Sequence, residues 1–225
     1  MHAMLVKRLV GAMISLTVTA VCLFGSAGRL DWTNGWLLIG LSLLGGVAGT
    51  AAVWRDPELV AERYNIKAGK SWDKVMVGFV VLLGPVAMWI TAGLDVRHHW
   101  SAGFPTLAIV MGVAVAALGG ALLIWAIRVN RFFSSVVRIQ RDRGHTVIMA
   151  GPYRLIRHPG YAGMSAFTVA TPLILNSQWA FVPAAVTTAL IMLRTELEDR
   201  TLQNELEGYH DYARTVKYKL LPFVW

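Results

Sequence analysis

The sequence predicts an all-α fold: a polytopic integral membrane protein of about six transmembrane helices, ending in a C-terminal helical hairpin. Three observations carry that expectation. Apolar residues fill 56% of the 225 positions and charged residues only 15%, a composition too apolar for an ordinary soluble domain in a chain too short for two large ones. The apolar residues gather into runs of bilayer length. The basic residues between those runs fall almost entirely on alternate loops. The whole chain, residues 1–225, therefore reads as a single membrane domain, with N-terminal transmembrane helices over 1–127 and a more polar functional region over 128–225.

The first four runs lie at 9–27, 35–54, 75–94 and 105–127, each near the ~20 residues that a helix needs to cross a bilayer. A fifth, at 161–193, would extend to about 50 Å as one helix, too long for a single ~30 Å crossing. It is expected to fold back on itself. Asn176, Ser177 and Gln178 supply a polar turn and Trp179 an interfacial aromatic, giving a hairpin of two short crossings; one tilted, kinked helix is the alternative. Trp32, Trp36, Trp54, Trp72, Trp100 and Trp179 all fall near the ends of crossings, as an interfacial belt requires. The pairs Gly45-Gly46 and Gly119-Gly120 read as places of close helix packing.

Loop charge orients the chain. The N-terminus and the segments 55–74, 128–160 and 194–225 hold all but Arg29 and Arg97 of the 21 lysines and arginines. That asymmetry places both termini and both long polar segments in the cytoplasm, in a cytoplasmic (inner) membrane. The first run is not expected to be a cleaved signal, since no A-x-A-like site followed by a soluble domain comes after it. The net charge of +8 sits between apolar runs, which points to anionic membrane lipids and not to nucleic acid. A single cysteine, Cys22, excludes a disulfide framework and a thiol–metal cluster. The runs are essentially free of ionisable side chains, which argues against an ion-coupled transporter with carboxylates at the midplane.

Chemistry is then expected where polar groups converge, in the two segments that flank the hairpin and whose ends it must bring together. The stretch GPYRLIRHPGYAGM at 151–164 is the focus. Pro159 presets φ and suits a first helical turn, and it pushes His158 out of helical conformation. The new helix would offer its unpaired N–H groups, with Arg157 and His158 beside them, to an anionic or strongly polar group. Arg194 and Glu198 lie four apart on one helix. An exposed ion pair is their plain alternative reading, although basic before acidic is the weaker order at that spacing. His145 could equally be a solvated loop histidine, and Tyr153 and Tyr161 interfacial aromatics. Leu202, Leu206, Tyr209 and Val216 recur at helical intervals and read as a packing or membrane-facing stripe that covers the site and is not part of it.

The pattern G-P-Y-x-x-x-R-H-P-x-Y at 151–161, preceded by Arg138 and His145-Thr146-Val147-Ile148 and followed by Arg194-x-x-x-Glu198 and Tyr209-x-x-Tyr212, resembles the isoprenylcysteine carboxyl methyltransferase family and its prokaryotic relatives. The resemblance covers about residues 128–222. It implies a cytoplasmic pocket for S-adenosylmethionine, with cofactor contacts from His145, Thr146, Val147, Ile148, Tyr153, His158, Pro159, Gly160, Tyr161 and Glu198. Arg138, standing where eukaryotic members carry a glutamine, joins that set. Arg194 would orient the acceptor. The acceptor implied is a lipophilic carboxylate that arrives from the bilayer. A carboxylate is already ionised near neutral pH, so neither a metal nor a strong base is required. The R-H-P-x-Y element is shared in similar form by membrane sterol reductases that use NADPH, which makes such a reductase the alternative. An amine acceptor, as in phospholipid N-methylation, would instead need Glu198 or His145 as a base.

Topology is directly measurable. Reporter fusions after residues 30, 100 and 177 should report the non-cytoplasmic side, and fusions after 65, 145 and 215 the cytoplasm. A non-cytoplasmic signal at 145 or 215 would separate the residues that the pocket needs together.

Overall fold

The computed structural model describes residues 2–54, 56–63 and 65–225, the stretch 2–9 by its backbone alone. The side chains of Lys7 and Arg8, and Arg55 altogether, on which the loop-charge expectation partly rests, lie outside that description. Helices α1 (His2–Ala27), α2 (Thr33–Val53) and α3 (Pro57–Arg63) are followed by α4 (Ser71–Val77), a π turn (Gly78–Leu83) and α5 (Gly84–His98), which run on as one rod. Then come α6 (Thr106–Val129), α7 (Pro159–Ile174), α8 (Phe181–Glu205) and α9 (Tyr209–Thr215), with no strand among the described residues. Pro85, in the first turn of α5, cannot donate to the carbonyl four residues back, and the π turn just before it absorbs that mismatch.

Four helices are long and apolar enough to cross a membrane: Val10–Ala27, Thr33–Val53, Ser71–His98 and Thr106–Val129. They coincide with the four apolar runs. The fifth run does fold back, as α7 and the apolar first half of α8. With 16 residues, α7 is about 24 Å long at 1.5 Å per residue. The turn between the two works because its polar groups find partners. Asn176 sits at φ 57°, a left-handed conformation that asparagine tolerates, and its Oδ1 accepts from the Phe104 N–H at 2.5 Å. Ser177 donates to Asp95 at 2.5 Å and Ser101 to the same carboxylate at 2.7 Å. The hairpin tip is thereby fastened to the α5–α6 connection, and a single kinked helix would forfeit those bonds.

The largest apolar core lies at that same end, where Leu23, Phe24 and Ala27 of α1 meet Leu38, Ala92, Ala116, Ala170 and Ile174 from four other helices. Trp32 belongs to this core. It is 6% exposed, edge-on to Phe24 at 6.4 Å, and so is no part of an interfacial belt, whereas Trp36, Trp54, Trp100 and Trp179 are about half exposed. Close packing holds for only one of the four glycines expected to provide it. A Cβ on Gly119 would stand 2.8 Å from both the Ala166 Cβ and the Gly163 carbonyl oxygen, while Gly45, Gly46 and Gly120 face open space. Gly163 of α7, whose own Cβ would meet the Gly119 carbonyl oxygen at 2.4 Å, completes the contact between α6 and α7.

Because backbone, not a movable side-chain tip, blocks that space, Gly119→Ala must push α6 from α7. It should destabilise the protein by about 1–3 kcal/mol, the usual cost of overpacking. Gly120→Ala, one residue on, should be neutral or slightly stabilising. Thermal unfolding of the two variants in detergent checks the contrast; equal melting temperatures would contradict the packing.

Candidate active site

Between α6 and α7 the chain runs for almost thirty residues with only two short 3₁₀ turns, Arg141–Arg143 and Gly151–Arg154, so side chains hold it in shape. Gln140, 1% exposed, donates to the Phe132 carbonyl at 2.7 Å and accepts from Arg143 at 2.6 Å. Gly151 turns the chain at φ 57°, where a Cβ would also lie 2.9 Å from Val129; only glycine suits that position. The turn buries Tyr153, whose hydroxyl accepts from Asn130 at 3.1 Å and whose carbonyl accepts from the Tyr212 hydroxyl at 2.7 Å. Burial raises the Tyr153 phenol well above its usual range, so it stays protonated. Pro159 starts α7 and His158 is non-helical, at φ −125° and ψ 61°, as the sterics before proline require. The backbone N–H groups of Arg157 and His158 donate to the carbonyls of Tyr218 and Lys219, each at 2.9 Å.

These segments enclose a cavity of about 400 Å³. Arg138, His145, Thr146, Val147, Ile148, Tyr153, His158, Gly160, Tyr161, Arg194 and Glu198 all line it. Pro159 does not; it is buried in the first turn of α7 and serves to place its neighbours. The wall also includes Val77 and Val81, so the rod of α4 and α5 is more than a membrane helix. Leu206, Tyr209 and Val216 of the expected stripe do pack together, with Tyr212, but Leu202, Leu206 and Tyr209 also line the cavity beside Tyr212, so the stripe is part of the site's wall and not only its cover.

The arginines are not arranged as the sequence suggested. Arg194 and Glu198 do not pair. Arg194 is 4% exposed and grips Asp73, with Nε to Oδ1 at 2.7 Å and Nη2 to Oδ2 at 3.1 Å, while Nη2 also reaches the Ser135 carbonyl at 2.9 Å. Its guanidinium carbon stands 5.2 Å from the centre of the Tyr161 ring. Glu198 instead accepts from the Tyr161 hydroxyl at 2.5 Å. Arg157, expected beside an anion site, binds Asp199 through Nε and Nη2 at 2.8 and 2.9 Å and the carbonyls of Val216 and Lys217 through Nη1. Asp199 further accepts from His158 at 2.9 Å, Tyr209 at 3.0 Å and Gln203 at 2.8 Å. Burial alone would raise its carboxyl, but the bonds from His158 and Arg157 prevail and hold it well below the usual carboxylate range. Arg138 bridges Glu62 of α3, at 2.8 and 2.6 Å, and Asp142, at 2.9 Å. Asp73, Glu62 and Asn130 carried no local signal that reasoning from the sequence could have used.

His145 is half-buried, its ring 4.5 Å from that of Phe132, and its Nδ1 accepts the Gln140 backbone N–H at 3.2 Å. An accepting Nδ1 assigns the neutral tautomer with the proton on Nε2. Burial first, then the charges of Arg138 and Arg143, lower its pKa to about 4. The ring is thus an uncharged hydrogen-bond donor at the cavity wall.

The model of the isoprenylcysteine carboxyl methyltransferase family matches residues 110–204. Over these residues the chain is similar to that family. The family region holds every site residue that the sequence singled out, from Arg138 to Glu198, but neither Asp73 nor Glu62. The chain is 29% identical over 131 residues to protein-S-isoprenylcysteine O-methyltransferase A of Arabidopsis thaliana, covering 57% of this chain and 62% of that protein. To a probable protein-S-isoprenylcysteine O-methyltransferase of Oryza sativa subsp. indica it is 27% identical over 133 residues, 58% of this chain and 66% of that one. To protein-S-isoprenylcysteine O-methyltransferase B of Arabidopsis thaliana it is 27% identical over 130 residues, 57% and 62%. The chain thus spans a little under two thirds of these relatives' own length.

The lowered pKa of His145 has a definite sign. Its ordinary value is 6.5 and its folded value about 4, so on acidification the unfolded chain takes up a proton that the fold refuses. The stability tied to His145 is complete above pH 6.5 and drains away as pH falls toward 4. Unfolding measured from pH 8 to 4 should show wild type losing stability faster than His145→Gln across that window; parallel curves would contradict a neutral, buried ring.

Proposed function

We propose that the protein is an S-adenosylmethionine-dependent methyltransferase of the cytoplasmic membrane that acts on a lipophilic acceptor, a carboxylate of isoprenylcysteine type. The observation that carries this reading is the charge balance of the cavity. Arg138, Arg157 and Arg194 are each matched by a carboxylate, and Arg63 at the wall is engaged as well. Glu198 is hydrogen-bonded to the Tyr161 hydroxyl and shares the field of Arg194, whose guanidinium Asp73 already neutralises. A surplus carboxylate attracts a cationic group such as a sulfonium or an α-ammonium, and it repels the phosphates of a nicotinamide dinucleotide. The volume of about 400 Å³ fits the range of about 300–1,000 Å³ usual for small-molecule sites.

In this reading Glu198 and the Nε2–H of His145 hold polar groups of the cofactor. Thr146, Val147, Ile148, Gly160, Tyr153 and Tyr161 form the walls, His158 is held by Asp199, and Arg138 braces the rim. The bound cofactor supplies a methyl group already activated by its sulfonium. Arg194 orients the acceptor through its remaining nitrogen, Nη1, so the contact comes from one nitrogen and not from the two-pronged Nε–Nη2 edge, which Asp73 occupies. What is asked of the residues is positioning, which can lower a barrier by several kcal/mol without proton transfer. The loop charges support six crossings with both termini and the cavity on the cytoplasmic side, the hairpin supplying the last two. Residues 1–127 then act chiefly as the membrane part and 128–225 as the cofactor-binding and catalytic part. The acceptor's chain stays in the lipid while its head group reaches the cavity.

Calorimetry of the detergent-purified protein with S-adenosylmethionine and with NADPH tests the reading, S-adenosylmethionine alone being expected to bind. Glu198→Gln keeps the shape and removes the charge. It should weaken S-adenosylmethionine by about 1.5–3 kcal/mol, roughly tenfold or more. Binding of NADPH in place of S-adenosylmethionine, or an unchanged affinity in Glu198→Gln, would refute it.

A further inference from the structure

We infer that Asp73 is a positioning residue of the transfer site, acting through Arg194; the inference rests on the methyltransferase reading above. Asp73 sits near the start of α4, outside the family region, and is 0% exposed. Its two oxygens take Nε and Nη2 of Arg194 at 2.7 and 3.1 Å, and Oδ2 also accepts the Val137 backbone N–H at 2.7 Å. The carboxylate is therefore held from the loop as well as from α8 and cannot turn independently of either. On the other side, the Ser135 carbonyl takes Nη2 at 2.9 Å and the Tyr161 ring lies 5.2 Å away. These contacts leave the guanidinium plane no free rotation. Nη1 alone makes no hydrogen bond among the described residues, and Arg194 lines the cavity.

A planar guanidinium fixed along one edge offers its opposite corner in one direction. Asp73 thus decides where Nη1, the one nitrogen of Arg194 with N–H groups to spare, stands relative to the acceptor's carboxylate. It also cancels the charge of Arg194, so the acceptor is met by a directed donor and not by an unbalanced cation. A residue 121 positions from Arg194, on a helix of the membrane part, thereby sets the geometry of a contact made inside the family region.

The test uses the full-length protein with S-adenosylmethionine and an N-acyl-S-prenylcysteine as carboxylate acceptor. Asp73→Asn keeps the shape and loses the charge. It should raise the acceptor KM about tenfold or more, equivalent to one good hydrogen bond misplaced, while the dissociation constant of S-adenosylmethionine stays within about twofold. In a cycle with Arg194→Lys, the double variant should be no worse than Arg194→Lys alone, because two changes acting through one contact do not multiply. A purely structural Asp73 predicts instead that cofactor affinity and kcat fall together with the melting temperature, or that the two substitutions multiply; either result overturns the inference. Losing a buried partner can prevent folding, so Asp73→Glu serves as the second variant. It keeps the charge but displaces the guanidinium by a methylene and should again raise the acceptor KM with cofactor binding preserved; an unchanged KM overturns the inference. A wild type that neither binds S-adenosylmethionine nor methylates the acceptor would refute the methyltransferase reading itself. A working wild type with an indifferent Asp73→Asn refutes the positioning role alone.

Discussion

At the polar end of the molecule one carboxylate, Asp199, accepts from Arg157 through two nitrogens at 2.8 and 2.9 Å and from His158, Tyr209 and Gln203 at 2.8 to 3.0 Å. Those donors come from four places: the end of the long loop, the residue before α7, α9 and α8 itself. A guanidinium taken out of water needs a carboxylate to meet it, and a buried carboxylate needs donors for its remaining lone pairs. Once both are buried, the segments that carry them have few arrangements left. The same constraint recurs at Arg194 with Asp73 and at Arg138 with Glu62 and Asp142. Each pair joins stretches that share no regular hydrogen-bonded structure, and together they give a loop of almost thirty residues one defined shape.

The cavity follows from this bracing. The α7–α8 hairpin brings Tyr161 and Glu198 together, the loop brings His145, and the pairing of residues 157 and 158 with 218 and 219 closes the rim. Because the buried arginines are neutralised by the framework, they do not set the polarity of the space they border. Glu198 and the neutral ring of His145 do, and these are groups suited to a cation and to hydrogen-bond acceptors. Apolar walls from Val77, Val81 and Met164 lie alongside, so the space has a polar and an apolar side. The division that composition suggests between an apolar half and a polar half is thus a loose one, since α3 and α4 each send a carboxylate to the other half.

Much of this was legible in the sequence, for definite reasons. Hydrophobic runs of bilayer length mark the four long helices, because a helix in lipid must be apolar all round. The overlong fifth run with Asn176, Ser177 and Gln178 in its middle marks a hairpin, because length alone forbids one crossing. Pro159 marks the start of α7. The residues that line the cavity were legible as a joint pattern, carried by resemblance and not by spacing. Trp32 was misplaced because an aromatic at a helix end looks the same whether it faces lipid or turns inward onto Phe24. Gly45, Gly46 and Gly120 were misread because a small residue permits close packing but does not bring a second helix to it.

What the sequence by itself determined is therefore everything local or additive: helix lengths, the hairpin, the start of α7, the alternation of charge between loops. Which carboxylate each buried arginine meets was decided only in three dimensions. Arg194 has Glu198 four residues away and takes Asp73 instead, 121 residues distant, because Glu198 is turned to Tyr161 while α4 places Asp73 against the buried face of α8. Arg157 passes over nearer groups for Asp199, and the tautomer of His145 rests on a backbone N–H five residues back. An ion pair in a membrane protein is chosen by which charges are buried together, and burial is a property of the packed helices, not of spacing along the chain.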